Sequence, residues 1–145
     1  MSELLAHLVG DYVFQSDWMA AEKTKRHAPA AIHAAAYTAA FLPLTRSVRA
    51  LAVIGGTHFL IDRYRVARHV NWAKNQLAPR AFRPGHTSTG YSEDRPPWMA
   101  VWLLILTDNT MHGLVNRWAL QRWGRESAPA ERASRVRRGV ASRRG

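Results

Sequence analysis

Apolar residues recur at intervals of three and four along most of the chain, and clusters of Pro, Gly and polar residues interrupt them. This pattern predicts helices over residues 3–25, 29–43, 47–77 and 98–123. Ser47 is suited to cap the third helix, and Gly124 is suited to end the fourth. Residues 78–97 are rich in Pro, Gly, Ser and Thr, so we predict a long loop there.

The predicted helices define the expected fold class, because no stretch of the chain favours a strand. Short connections between helices favour antiparallel neighbours, so we expect an all-α, four-helix bundle with up-down-up-down topology over residues 1–124. Residues 125–145 carry seven arginines among Ala, Ser and Gly. We therefore expect a disordered basic tail after the bundle.

Composition limits the chemistry. The chain contains no cysteine, which excludes disulfides, thiolate zinc sites and cysteine nucleophiles, so any metal ion must be held by His, Asp or Glu. Much of the net charge of +11 lies in the predicted tail, and no motif of alternating aromatic and basic residues accompanies it. We expect nucleic acid to bind only nonspecifically, through the tail.

Residues 28–45 contain no formally charged side chain and have about the length of a membrane span. The segment is rich in alanine and contains His33 and Pro43, so a membrane-embedded bundle and a soluble one are both open. The amino terminus lacks a basic region and carries Asp11 in its apolar stretch, which is not typical of a cleaved signal peptide. We expect a protein of the cell membrane, integral or peripheral, or of the cytoplasm, and not a secreted one.

Three pairs of His and Asp share a spacing of four residues, which puts both members of a pair on the same helix face. The pairs are His7 with Asp11, His58 with Asp62, and Asp108 with His112. In an up-down-up-down bundle the fourth helix opposes the first and third, so the reversed order of the third pair brings the three histidines to one level. The aspartates then form a second level about 6 Å away. His33, in the middle of the second helix, is expected to point inward too.

Imidazoles beside carboxylates suit a divalent metal ion, with zinc as the first expectation and manganese or iron as alternatives. The predicted ligands are His7, Asp11, His58, Asp62, Asp108 and His112. A metal ion acidifies water, and the predicted acceptors of its proton are Asp62, Asp108 and His33. Gln15 and Lys23, on one face of the first helix, are the predicted contacts to an anionic substrate. Taken singly, each pair is also consistent with a hydrogen-bonded pair that holds no metal.

Several stretches resemble a family of small bacterial and phage proteins known as domain of unknown function 3307. They are HLVGDYVFQSDWMA with a following Lys, an isolated helical His, HFLIDRY, VNWAKNQL and WLLILTDNTMH, and the resemblance that they carry extends over about residues 4–118. The resemblance implies one shared site made of His7, Asp11, Gln15, Asp17, Lys23, His33, His58, Asp62, Asp108 and His112. It supplies no established activity, and members are commonly predicted to be membrane proteins. A more distant similarity, to membrane-bound metal-dependent hydrolases with repeated His and Asp positions, is an analogy only.

Two functions from different classes are consistent with these features. The first is a metal-dependent hydrolase that acts on a phosphoester or lipid-like substrate within a helical bundle. The second is a non-catalytic membrane or membrane-surface protein with a polar His/Asp interior, whose basic tail binds anionic lipid. A nucleic-acid-binding role for the tail is the weaker third alternative.

Overall fold

The computed structural model describes residues 1–125, and every regular element among them is helical. The α-helices are α1 (Glu3–Leu8), α2 (Asp17–Glu22), α3 (His27–Ala39), α4 (Val48–Arg63), α5 (Val66–Asn75) and α6 (Pro97–Trp123). A π-helical segment, Val9–Val13, continues α1, and a 3-10 helix, Arg80–Phe82, lies in the loop before α6. The all-α prediction is confirmed for residues 1–125, whereas the expected tail falls almost wholly on residues 126–145, outside the described part.

Two of the four predicted helices are divided, which accounts for six α-helices instead of four. The first is interrupted because Ser16 begins a new helix by accepting a hydrogen bond from the Met19 N–H. The third is interrupted at Arg65, whose left-handed backbone (φ 51°, ψ 47°) cannot continue α4. The boundaries of the predicted loop and of the last helix agree with the structure to within two residues.

Helix α4 is the centre of the packing, with contacts to α3, α5 and α6, and α1 packs against α6. The apolar core is small and consists of Ala6, Tyr37, Ala40, Phe41, Ile54 and Ala119. A comparable number of buried side chains are polar, and most of these lie on the inward faces of the same helices. The interior therefore has an apolar part beside a polar part, and the polar part contains the predicted site.

Gly10 allows the π-helical segment to lie directly on α3. A Cβ atom at this position would be 2.6 Å from Cδ2 of Tyr37 and 3.1 Å from the Tyr37 Cα, which is closer than side chains tolerate. The next residue along the chain is Asp11, which is buried at the same contact. The close approach at Gly10 thus brings an aspartate from the first segment into the interior.

From the sequence alone, a bundle embedded in a membrane remained one of two alternatives. Among residues 1–125, no helix combines the length and the apolar character that crossing a membrane requires.

Candidate metal centre

Four buried side chains from three elements converge in the polar interior. Asp11 comes from the π-helical segment, His33 from α3, and both His58 and Asp62 from α4, one turn apart. A π-helical turn inside a helix is found frequently at functional sites, since it shifts the register of the side chains. Here the π-helical segment carries Asp11 and begins two residues after His7.

The ligand atoms of these four residues lie at the spacing that a tetrahedral metal site requires. His33 Nε2 is 3.0 Å from His58 Nε2, 3.3 Å from Asp11 Oδ1 and 3.3 Å from Asp62 Oδ2. His58 Nε2 is 3.4 Å from Asp11 Oδ1 and 3.2 Å from Asp62 Oδ2. Metal–ligand bonds of about 2.0–2.1 Å put the corners of a tetrahedron about 3.3–3.4 Å apart. The four side chains could therefore hold one metal ion, provided that the Lys23 ammonium, 2.7 Å from Asp62 Oδ2, moves aside.

A second group shares Asp11 with the first and adds Asp108 and His112 from α6, with ligand atoms within 4.8 Å of one another. His112 Nε2 is 3.4 Å from Asp108 Oδ2 and 3.3 Å from Asp62 Oδ1. His112 is buried, but the side chain of Asp108 is 30% exposed. Side chains from the predicted levels of histidines and aspartates are thus in direct contact.

The two groups cannot both be filled through neutral imidazoles. The Nδ1 atoms of His58 and His112 face each other at 3.2 Å, a distance that accommodates one shared proton but not two N–H groups. If both rings bound metal through Nε2, both Nδ1 atoms would carry a proton and would repel. The consistent arrangement has His58 as a ligand that donates its Nδ1–H to His112, which in turn donates its Nε2–H to Asp62 or Asp108.

The electrostatics of the cluster favour ionised carboxylates. Burial raises the pKa of Asp62, but hydrogen bonds from His112, His33 and His58 outweigh it and hold that pKa well below the usual range. The pKa of Asp11 is lowered in the same way, chiefly by the hydrogen bond with His33. Burial disfavours the charged form of His112, yet hydrogen bonds to Asp108 and Asp62 raise its pKa to about 9. Burial dominates at His58 and lowers its pKa.

His7 lies beside the cluster but belongs to neither group. Its Nδ1 is 2.7 Å from the Tyr37 hydroxyl, and its Nε2 is 3.0 Å from Asn109 Oδ1, so both ring nitrogens have protein partners. Tyr37 also accepts a hydrogen bond from Asn116 at 2.6 Å, and its ring stacks on His58 at 3.6 Å. His7 and Tyr37 therefore support the cluster from the side of the apolar core.

The two predicted substrate contacts border a cavity of about 350 Å³ that reaches the cluster. Lys23 Nζ is 2.7 Å from Asp62 Oδ2 and 3.2 Å from His33 Nε2, while Gln15 lines the cavity wall. Asp11, Asp62 and Asp108 also line this cavity, whereas His33 and His58 do not. Asp17, which the family resemblance includes, is an exposed residue at the start of α2 and belongs to neither group.

Sequence reasoning singled out neither Tyr37 nor Arg65. Tyr37 follows His33 by four residues on an alanine-rich helix, so the same spacing rule that found the three pairs could have identified it. Arg65 carries no such signal, because its importance comes from a left-handed backbone and a place in the cavity wall. It is the only non-glycine residue among 1–125 with a positive φ.

Comparisons with known proteins give a single positive result. The family described as "Protein of unknown function (DUF3307)" matches residues 1–82, a range that contains Asp11, Lys23, His33, His58 and Asp62. Residues 83–118, including the third His/Asp pair, lie beyond that match. Neither the search of curated proteins nor the search of solved structures found a match. Because the match covers more than half of the 145 residues, this chain belongs to the DUF3307 family.

Proposed function

We propose that the protein is a metal-dependent hydrolase of phosphoesters or lipid-like esters, with one divalent ion held by Asp11, His33, His58 and Asp62. The observation that carries the proposal is the spacing of their four ligand atoms, with five measured separations between 3.0 and 3.4 Å. Burying two carboxylates and two imidazoles costs free energy unless a cation compensates it. A bound dication would supply that compensation.

The donor set bears on which ion is bound. Two imidazole nitrogens and two carboxylate oxygens suit zinc, manganese or iron, and zinc is our first candidate because its tetrahedral geometry fits the measured spacing. The three-imidazole set of His7, His58 and His112 is less favoured, since both nitrogens of His7 already have partners. We assign His7 and His112 to the surrounding hydrogen-bond network, where such residues orient the ligands.

Access to the ion would come from the carboxylate side. Asp11 and Asp62 line the cavity while the two histidines form the closed back of the site, so an additional ligand position would open into the cavity. A catalytic metal site needs such a position for water or substrate, which a closed structural site lacks. Expansion from four to five ligands provides it without loss of a protein ligand.

A bound divalent ion would supply Lewis acidity, which lowers the pKa of a water molecule and polarises the ester. In the proposed reaction water attacks the ester phosphorus or carbon, the bond to the leaving oxygen breaks, and an alcohol departs. Asp108 accepts the proton of the attacking water and passes it to the leaving oxygen, because it lines the cavity and is not among the four ligands. Asp62 and His33, the other predicted bases, are occupied as ligands in this arrangement.

The test is metal content by mass spectrometry on full-length, untagged protein, followed by an ester hydrolysis assay. Wild-type protein incubated with zinc, manganese or iron and then dialysed is expected to keep about one equivalent of one of them. His58→Ala should lose the metal, whereas His86→Ala should retain it, because His86 stacks on Trp72 away from the cluster. Retention of metal by His58→Ala, or absence of metal in the folded wild type, would overturn the proposal.

A second candidate function, association with an anionic membrane surface, is favoured by an exposed apolar stripe. Several large apolar side chains of α6 are exposed, and Leu4 and Leu8 of α1 lie next to Leu106 and Leu114. The stripe consists of Trp98, Trp102, Leu106, Leu114 and Trp118. With a net charge of +11, we propose that this face docks on anionic lipid, which would give a peripheral membrane protein.

Vesicle flotation tests the second candidate. Wild-type protein should float with vesicles that contain phosphatidylglycerol and much less with pure phosphatidylcholine vesicles. Replacing Leu106 and Leu114 by Gln should reduce flotation at unchanged net charge. Equal flotation of the wild type and the double variant would argue against docking through the stripe.

A further inference from the structure

The wall of the cavity carries basic side chains as well as carboxylates. Arg65 and Arg68 line the same 350 Å³ space as Asp11, Asp62 and Asp108, and so does Lys23, which contacts Asp62 at 2.7 Å. Arg65 follows the end of α4, and Arg68 lies one turn further along, in α5. A cavity of this size accommodates a small molecule rather than a macromolecular segment.

Both guanidinium groups retain donor capacity toward the cavity. Arg65 donates from Nη2 to the Ser88 carbonyl at 2.9 Å, and Arg68 donates from Nε to His69 at 3.3 Å. A guanidinium has five N–H groups, so these bonds use a minority of them. Among residues 1–125, no carboxylate lies within 4.0 Å of either group.

The protein holds Arg65 in this place at a conformational cost. Left-handed backbone is strained for a non-glycine residue, and such strain clusters at functional sites. Burial and the nearby charge of Arg68 both disfavour the charged guanidinium and lower the pKa of Arg65. Two cations kept close together on a strained, half-buried turn would both be stabilised by an anion between them.

The charges of the cavity wall indicate which anion. Three carboxylates face three cationic side chains, so the wall itself is balanced. A divalent ion among the carboxylates would leave an excess of two positive charges, which the dianion of a phosphate monoester would neutralise. A neutral carboxylic ester would leave the two excess positive charges uncompensated. Ile61, Leu104 and Ile105 complete the wall and could contact an apolar group of the ester.

We infer that Arg65 and Arg68 form a phosphate-binding subsite, and that the substrate is a small phosphate monoester bound between these arginines and the metal. This inference rests on the proposed function and selects phosphoesters over the lipid-like esters that it leaves open. Arg bidentate contacts to phosphate are strong and directional, which fixes the phosphorus relative to the attacking water. Gln15, whose Oε1 is buried without a hydrogen-bond partner among the described residues, could accept a hydrogen bond from a free hydroxyl group elsewhere on such a substrate.

The experiment measures binding of inorganic phosphate by isothermal titration calorimetry to full-length protein, both metal-loaded and metal-free. Arg68→Gln and Arg65→Gly each remove one guanidinium, and the glycine also relieves the left-handed backbone, so loss of folding is not expected. The control, Arg117→Gln, removes the same charge from an exposed ion pair with Glu3, outside this cavity. Both cavity variants should bind phosphate about tenfold more weakly or worse with unchanged metal content, and the control should bind like wild type.

The outcomes distinguish failure of the phosphate subsite from failure of the proposed metal-dependent function. Equal phosphate affinity in the cavity variants and the wild type, in both metal states, would overturn the subsite even if metal binds. Arginine-dependent phosphate binding in a protein that takes up no metal would keep the subsite and overturn the hydrolase. As an independent arm, metal-loaded wild type should hydrolyse p-nitrophenyl phosphate but not p-nitrophenyl butyrate, and the opposite preference would contradict the inference.

Discussion

The Nδ1 atom of His58 lies 3.2 Å from the Nδ1 atom of His112, and the two rings are 4.2 Å apart between centroids. This distance accommodates one proton between the two nitrogens, so we expect the protonation of His112 and the proposed metal binding of His58 to be linked. His58 can present a lone pair at Nε2 only when its proton is on Nδ1, which requires His112 to be the acceptor. His112 in turn contacts Asp62 and Asp108 through Nε2.

From this relationship we predict that His112→Gln weakens metal binding without removing a ligand. The variant loses the acceptor that fixes the His58 ring, and loss of such an orienting partner costs about 10- to 100-fold in metal affinity. Affinity is measured by competition with a chromogenic chelator. His69→Gln, a change on the exposed surface of α5, serves as the control and should keep wild-type affinity. An affinity for His112→Gln equal to that of His58→Ala would instead make His112 a direct ligand.

The pH dependence of the metal-free protein follows from the same residue. The pKa of His112 is raised from 6.5 to about 9, so its charged form stabilises the fold below pH 6.5, and that stability is lost as pH rises through about 9. His33, whose pKa is also raised, acts in the same direction. The free energy of unfolding, measured by urea denaturation in EDTA, should fall by about 3 kcal/mol between pH 6.5 and 10.

His112→Gln isolates the contribution of this histidine to the loss of stability at alkaline pH. The variant should be less stable than wild type near pH 6.5, and its stability should change less between pH 6.5 and 10. Parallel curves for the two proteins over this range would show that His112 is not the group that titrates.

The fold class could be predicted from the sequence because it depends on periodicity, which is a local property of the chain. The predicted loop at residues 78–97 and the last helix agree with the structure for the same reason. The break at Arg65 could not be predicted, because an arginine in left-handed conformation contradicts local preference. The Ser16 cap could have been recognised in the sequence. Apolar residues continue at helical spacing past Ser16, however, so the pattern predicts one uninterrupted helix.

The candidate site was predictable to the extent that its members share a helix face. The spacing rule found Asp11, His58 and Asp62, which supply three of the four ligand atoms at tetrahedral spacing. It paired His33 with no acid, since the carboxylates near His33 come from the π-helical segment and from α4. It also gave His7 the same weight as His58, because the partners that occupy His7, Tyr37 and Asn109, are distant in sequence.

Gly10→Ala should destabilise the protein and reduce its metal content. The added methyl group would meet the ring and the Cα of Tyr37, so the π-helical segment must move away from α3 and take Asp11 with it. Overpacking of this kind costs about 1–3 kcal/mol. Gly113→Ala is the control, because a Cβ there meets nothing within 4 Å and alanine is favoured in a helix. Thermal denaturation should show a lower melting temperature for Gly10→Ala only, and equal melting temperatures would contradict the close contact.

Lys23→Met should change metal binding and metal-free stability in opposite directions. The Lys23 ammonium is 2.7 Å from Asp62 Oδ2, so it partly compensates a buried carboxylate when no metal is present. A dication at the same oxygen would repel the ammonium, and its removal should strengthen metal binding severalfold. Loss of the ion pair should at the same time lower the free energy of unfolding in EDTA.

Lys23→Arg provides the matched control for Lys23→Met, since it keeps the positive charge and should not gain metal affinity. Both affinities are measured by chelator competition, and both stabilities by urea denaturation in EDTA. Weaker metal binding in Lys23→Met would mean that Lys23 supports the ligands instead of competing with the ion. In that case the ammonium would orient Asp62 through its 2.7 Å contact. The carboxylates would compensate its positive charge, so it would not repel the metal ion.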